Sequence, residues 1–251
     1  MVNKISIIIP TYNRINKTIE AINSVSTKNF ESTEIIVVDD ASKNPFPKLS
    51  NIKLINLSEN AGPGVARSMG VAKSSFNLIS FLDSDDLYTK EWISTLQQLD
   101  VADNTLIVGS TVNGKKWQQD LFNLLLKFPS KIQLFFCKII INFFNPFYTP
   151  SICMTKNIAF FHNTLRYCED YYTNAMAIFY AKRIVLINKD ACILNRIPGT
   201  EGGESVNKKK MLIGEIEVKK NILFCKRIPI QYKLFTLLGF LYTYLRFFLR
   251  K

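Results

Sequence analysis

The chain of 251 residues contains a single histidine, His162, and five cysteines, none of them in a Cys-x-x-Cys pair. Scattered cysteines of this kind argue against a disulfide framework or a zinc site. They read as small apolar residues of a reducing compartment. The apolar run ahead of Thr11 and Tyr12 in MVNKISIIIPTYNR is too short and wrongly flanked for a secretory signal, so a cytoplasmic location is expected. No internal repeat or low-complexity segment occurs. Long hydrophobic runs are also lacking: residues 234–245 form a weakly polar to apolar stretch of twelve, bounded by Lys233 and Arg246, against about 20 needed to span a bilayer. Carboxylates are scarce in one part only. Residues 1–100 carry 10 Lys+Arg against 11 Asp+Glu, whereas the rest carries 22 against 9. A basic half implies an anionic partner. Its cations are interleaved with long aliphatic and aromatic runs, which points to the inner face of a membrane rather than to nucleic acid.

What is present is ample core material, 47% hydrophobic residues, enough for one large domain or a domain with an appendage. Apolar, β-branched runs at residues 5–10, 34–38, 52–57 and 78–82 read as strands, the first two as strands buried on both faces. The first is expected to stop at Pro10, which has no ladder donor. Helices are expected at 16–26, at 62–73 with Pro63 in the first turn, and at 88–99. Beyond residue 100 the pattern predicts a strand at 105–109, a helix at 117–128 and an edge strand at 151–154. A helix at 170–181, a strand pair at 184–187 and 191–194, and a basic helix at 208–220 follow. Alternating strands and helices predict βαβ units, that is, an α/β fold with a mostly parallel sheet flanked by helices. Ligands of such sheets bind at the carboxyl ends of the strands, where Pro10-Thr11-Tyr12, Asp39-Asp40 and the run FLDSDD all fall. Asp83, Asp85 and Asp86 in that run suggest a divalent cation shared with substrate phosphates, or an acidic cap for the next helix.

Together, SIIIPTYNR (6–14), EIIVVDDAS (34–42), NAGPGVARSMG (60–70), FLDSDD (81–86) and YCEDYY (167–172) resemble the family 2 inverting glycosyltransferases of GT-A fold. GPGVAR is near the dinucleotide fingerprint, but Arg67 stands where its third glycine belongs and the block follows the third predicted strand rather than the first. The resemblance implies transfer of a sugar from a nucleotide-diphosphate donor, UDP-linked by preference, to an acceptor hydroxyl with Mg²⁺ or Mn²⁺. It implies donor binding by Pro10, Tyr12, Arg14, Asp39, Asp40, Gly62, Arg67, Asp83 and Ser84. Tyr12 would stack on the base, and either Asp39 or Asp40 would accept from it. Gly62, Gly64 and Arg67 would face the diphosphate. Asp83 and Asp85 would be metal ligands with Asp86 assisting or capping, and Asp170 the catalytic base, ahead of its neighbour Glu169.

One departure from the family pattern is that Arg196 is followed by Ile197 and Pro198, where many relatives place a histidine two residues on. Either the metal then makes do with Asp85, phosphates and water, or Glu201 or Glu204 substitutes; residues 198–205 form a candidate lid, and His162 is expected at a helix start or on the surface. The resemblance divides the chain into a catalytic domain, 1–205, with a nucleotide half (1–100) and an acceptor half (101–205), and a basic, aromatic, helical membrane segment, 206–251. The expected pathway is bacterial surface-polysaccharide assembly on a lipid-linked glycan; the alternative is a non-catalytic nucleotide-sugar-binding or membrane scaffold protein.

Overall fold

A computed structural model describes residues 2–25, 30–162, 164–196 and 207–249. Eight strands form one sheet: β1 (Ile5–Thr11), β2 (Thr33–Asp39), β3 (Lys53–Asn56), β4 (Leu78–Phe81), β5 (Leu87–Tyr88), β6 (Thr105–Val112), β7 (Ile152–Thr155) and β8 (Arg183–Ile193), in the order β3-β2-β1-β4-β7-β6-β8-β5. Pairing is parallel from β3 to β4 and between β6 and β8, and antiparallel at β7 and at β5. The helices are α1 (Ile15–Ser24), α2 (Pro63–Lys73), α3 (Trp92–Gln98), α4 (Lys116–Leu125), α5 (Ser130–Ile140), α6 (Glu169–Tyr180), α7 (Lys208–Phe224) and α8 (Ile230–Leu249).

The two faces of β1 show why the layers form. Ile5, Ile7 and Ile9 point to a core completed by Ala21 and Ile22 of α1 and Trp92, Ile93 and Leu96 of α3. Ile8 points the other way, into a second core with Ala66 of α2, Ala175 of α6 and Val218 and Ile222 of α7. Side chains alternate along a strand, so a run apolar at nearly every position is stable only between two helical layers. Each fully buried isoleucine contributes roughly 1.5–3 kcal/mol.

The α/β expectation holds, with four local corrections. β1 runs through Pro10 to Thr11, because β4 pairs with β1 only as far as Ile8 and the missing N–H falls where one side of the strand is open. The expected edge strand is interior: β7 lies between β4 and β6, antiparallel to both. The expected pair at 184–187 and 191–194 is the single strand β8, whose register against β6 shifts around Ser110 at a bulge. Tyr88, expected to begin a helix, lies with Leu87 in β5, and the helix starts at Trp92. The candidate lid and Glu201 and Glu204 lie outside the described residues.

Candidate active site

The tips of β1, β2 and β4, the start of α2 and the start of α6 surround a cavity of about 380 Å³, within the size range of small-molecule sites. Pro10, Tyr12, Arg14, Asp40, Arg67, Asp83, Ser84, Asp85, Glu169 and Asp170 all line it. Carboxylates more than 80 residues apart in sequence thus open on one space. Three non-glycine residues hold left-handed backbone directly behind the contributing segments: Asn13 (φ 53°), Ala41 (φ 58°) and Cys168 (φ 60°). Such conformations are uncommon for residues with a Cβ and cluster at functional sites. At Cys168 the left-handed residue immediately precedes α6, whose first turn carries Glu169 and Asp170.

The acidic pair after β2 divides its labour. Asp39 is buried and caps its own loop, its Oδ1 accepting from the Ser42 amide and hydroxyl and its Oδ2 from the Phe46 amide at 2.9 Å. Asp40 reaches the cavity wall and accepts from the amides of Ala61 and Gly62 at 2.8 and 2.9 Å. Burial raises its pKa, against those two amides and the nearby Arg166. Gly62 has φ 95°, and a Cβ there would lie 2.6 Å from Arg166 Nη1, so only glycine makes this turn.

Arg67 is buried between carboxylates from two segments: Nη2 donates to Asp83 Oδ1 at 2.5 Å and Nη1 to Glu169 Oε1 at 3.0 Å. Its terminal nitrogens face these groups where a phosphate was expected, and its Nε has no partner among the described residues. Burial opposes the guanidinium charge, yet Asp83 and Glu169 outweigh it and raise the pKa. Asp85 Oδ2 holds two arginines, Arg196 at 2.5 Å and Arg14 at 3.1 Å. Asp86 turns away from the cavity and accepts from the Asn195 amide at 3.0 Å. Burial, then Asp83, pushes its pKa up to about 8. Burial, then Asp170, pushes Glu169 up to about 7 against the opposing pull of Arg67. The Asp170 pKa is also raised by burial, with Arg67 opposing. His162 sits edge-on to Tyr172, its Nδ1 by the Thr164 hydroxyl.

Asp83 and Asp85 offer only oxygen donors, which suit a hard cation. Five carboxyl groups and four guanidinium groups line the cavity, and Asp83 and Asp85 already face arginines. Among the described residues no cluster of three acidic, histidine or cysteine groups is arranged to hold an ion alone. The oxygen donors of Asp83 and Asp85 fit a hard cation only where further ligands complete its shell. Arg166 and Met211 also line the cavity and were missed in the sequence. Arg166 had a signal, since it precedes the YCEDYY block. Met211 had none, because it arrives on α7, far from every motif.

A model described as glycosyl transferase family 2 matches residues 6–166. An uncharacterized glycosyltransferase of Rickettsia felis is 40% identical over 114 residues, 43% of this chain and 19% of that protein. The poly(ribitol-phosphate) beta-N-acetylglucosaminyltransferase TarS of Staphylococcus aureus is 27% identical over 75% of this chain and 35% of its own length. The chain thus spans about a fifth to a third of these relatives. The structure of TarS in complex with UDP-GlcNAc superposes with a TM-score of 0.68 at 21% identity, covering 97% of this chain and 73% of that one. A mannosyltransferase of Pyrobaculum calidifontis, in complex with GDP-Man and Mn²⁺, gives 0.67 at 13% identity, covering 98% of this chain and 71% of that one. Both alignments cover nearly the whole chain and carry the GT-A fold.

Proposed function

The chain belongs to glycosyl transferase family 2, and from that premise we propose an inverting transfer of sugar from a UDP-type donor to an acceptor hydroxyl, with Asp170 as base. Tyr12, 42% exposed at the cavity, offers an aromatic face to the base of the nucleotide. Asp40 is the better placed of its pair to accept from that base, since a carboxylate retains lone pairs after two amide contacts. Asp83 and Asp85 would hold the cation, which when bound supplies charge neutralisation for the departing diphosphate. Arg14 and Arg196, already at that carboxylate, add guanidinium groups that suit phosphate oxygens.

The acceptor oxygen attacks the anomeric carbon from the face opposite the diphosphate. Its proton passes to Asp170 as the bond from that carbon to the phosphate oxygen breaks, and the bonding pair leaves with the nucleoside diphosphate. Glu169 is tied to Arg67, which leaves Asp170 as the carboxylate for this task. Its raised pKa strengthens it as a base. Residues 1–205 would be the catalytic unit and 206–251 the segment that brings it to the cytoplasmic face of a membrane. The poly(ribitol-phosphate) in the name of TarS supports a polymeric acceptor, and the apolar C-terminal helix supports a lipid-linked glycan of surface-polysaccharide assembly as its class.

The observation that carries this reading is the single cavity shared by Asp83, Asp85 and Asp170. Its test is nucleoside diphosphate release from UDP-sugars with Mn²⁺. Asp170→Asn lowers release by about 10²–10⁴-fold, while the thermal shift on donor binding stays as in the parent chain. Release that continues undiminished removes Asp170 as base. A donor that gives no metal-dependent shift in either form removes the donor site and leaves a scaffold role.

A further inference from the structure

α8 is packed inside out. A helix on a globular domain normally turns its apolar stripe to the core and its polar residues to water. Here the buried positions are Thr236, Gly239 and Thr243. Leu234, Leu238, Leu241, Leu245 and Phe248, which recur at helical spacing on one side, are 48–61% exposed. The inward face is specified by polar contacts. Thr236 donates to Asn142 Oδ1 at 2.5 Å, and the buried Lys219 of α7 donates to Thr243 Oγ1 at 2.7 Å. A Cβ on Gly239 would lie 2.0 Å from the Asn142 carbonyl oxygen, so the helix is seated as closely as glycine allows. The leucines therefore face outward because the other side is fully committed.

This outer face has a defined electrostatic character. Between Phe224 and Leu249 there are four cations and no carboxylate; Arg246 is paired with Glu215 of α7, which leaves Lys226, Arg227 and Lys233 as the basic residues of this face. In the α7–α8 turn, Phe224 (82%) and Ile230 (72%) are exposed beside Lys226 and Arg227. α5, joined to α8 through Lys138 over the Tyr232 ring, exposes Phe135 and Phe136 as well. α8 is about 30 Å long, but its apolar to weakly polar stretch is only the twelve residues 234–245, against about 20 needed for a span, and among the described residues no helix is long and apolar enough to cross a membrane.

We infer that the outer face of α8, with the α7–α8 turn, docks flat onto an anionic lipid surface, its leucines and phenylalanine among the acyl chains and its cations at the headgroups. An amphipathic helix binds an interface in this way, and long basic side chains reach the headgroups from its edges. Charge selects lipid over a second copy of this chain. Two such faces brought together would set cation against cation, whereas an anionic leaflet attracts each basic residue. The face also connects to the cavity. α7 lays Gly214 on the Tyr167 carbonyl and contributes Met211 to the cavity wall, where the Cys168 thiol donates to the Met211 carbonyl at 3.4 Å. If the transferase reading holds, a lipid-anchored acceptor would meet the cavity from the α6–α7 side; the docking itself does not depend on that reading.

The test is sedimentation of the full chain with phosphatidylcholine vesicles, with and without phosphatidylglycerol. The chain pellets with the anionic vesicles at least tenfold more strongly than with neutral ones, and raised salt weakens the binding. The triple variant Leu238→Gln/Leu241→Gln/Leu245→Gln, altered only at exposed positions, loses at least tenfold in anionic-vesicle binding while its nucleotide-induced thermal shift is unchanged. Three results would overturn the inference: a parent chain that stays in the supernatant with both vesicles, a triple variant that pellets like the parent, or a lipid-free dimer that the triple variant dissolves. Nucleotide binding is read separately in every sample, so loss of the docking face and loss of the donor site give different patterns.

Discussion

The cavity and the C-terminal hairpin both bury charge, and they do so for opposite ends. At the sheet tips, Arg67 lies between Asp83 and Glu169, its Nε has no partner among the described residues, and the surrounding carboxyl groups outnumber the guanidinium groups. In the hairpin, Lys219 is enclosed: it donates to Thr243, lies 3.7 Å from Glu215 and sits over the Tyr171 ring, while Arg246 also reaches Glu215. The first arrangement borders an open cavity on one side. The second is complete in itself and turns its unfinished side, the apolar one, outward. Buried polar groups therefore mark a reaction site only where they line a cavity; where they face one another they fix the position of a helix.

The largest effect expected from breaking this contrast is at Arg67. Arg67→Met leaves Asp83 and Glu169 facing each other without their shared cation, and removing one member of a buried pair costs about 3–5 kcal/mol. The control is Arg14→Met, at a partly exposed pair where Arg196 still holds Asp85; its cost stays below about 1 kcal/mol. Urea denaturation of both variants measures the difference, and equal midpoints would show that the buried cluster is no more strained than the exposed one. Next in size is Gly239→Ala. The added methyl meets the Asn142 carbonyl, and overpacking of this kind costs about 1–3 kcal/mol. Loosening of α8 should show as faster proteolysis in residues 230–249, and a variant as stable and resistant as the parent would mean that the helix is not seated by that contact.

The donor half was legible because its signals are continuous. β1, β2 and β4 are buried on both faces and lead directly into the residues that line the cavity, so apolar runs and their punctuation give both strand and site. β7 was misplaced as an edge because four apolar residues show burial but not the number of neighbours. β8 was split because its exposed middle, Asn188 to Asp190, interrupts the apolar pattern without interrupting the strand. Arg67 was legible as a site residue, yet its partners were not, since Glu169 lies 102 positions away. The C-terminal run was legible as apolar and too short to span. That its leucines face outward was hidden, because the inward side is chosen by Asn142 and Lys219, one from each of two other segments.

The last effect, small per pH unit and spread over a wide range, separates the two regions by sign. Burial, then Asp170, raises the Glu169 pKa from 4.5 to about 7, with Arg67 opposing. The stability this group contributes is full below its unfolded pKa and is lost as pH rises to about 7, where the folded state gives up its proton. Burial lowers the Lys219 pKa from 10.5 to about 8, with Glu215 opposing and Arg246 adding to the shift. Its contribution is full above 10.5 and is lost as pH falls toward 8, since the folded state resists taking up the proton. Each slope is at most about 1.4 kcal/mol per pH unit. Glu169→Gln should therefore flatten the decline between pH 4.5 and 7, and Lys219→Met the rise between pH 8 and 10.5, each leaving the other limb as in the parent. Denaturation curves across both windows test this, and a Lys219→Met variant whose stability still rises through the alkaline window would assign that limb to other groups and end the contrast between an open and a closed buried charge.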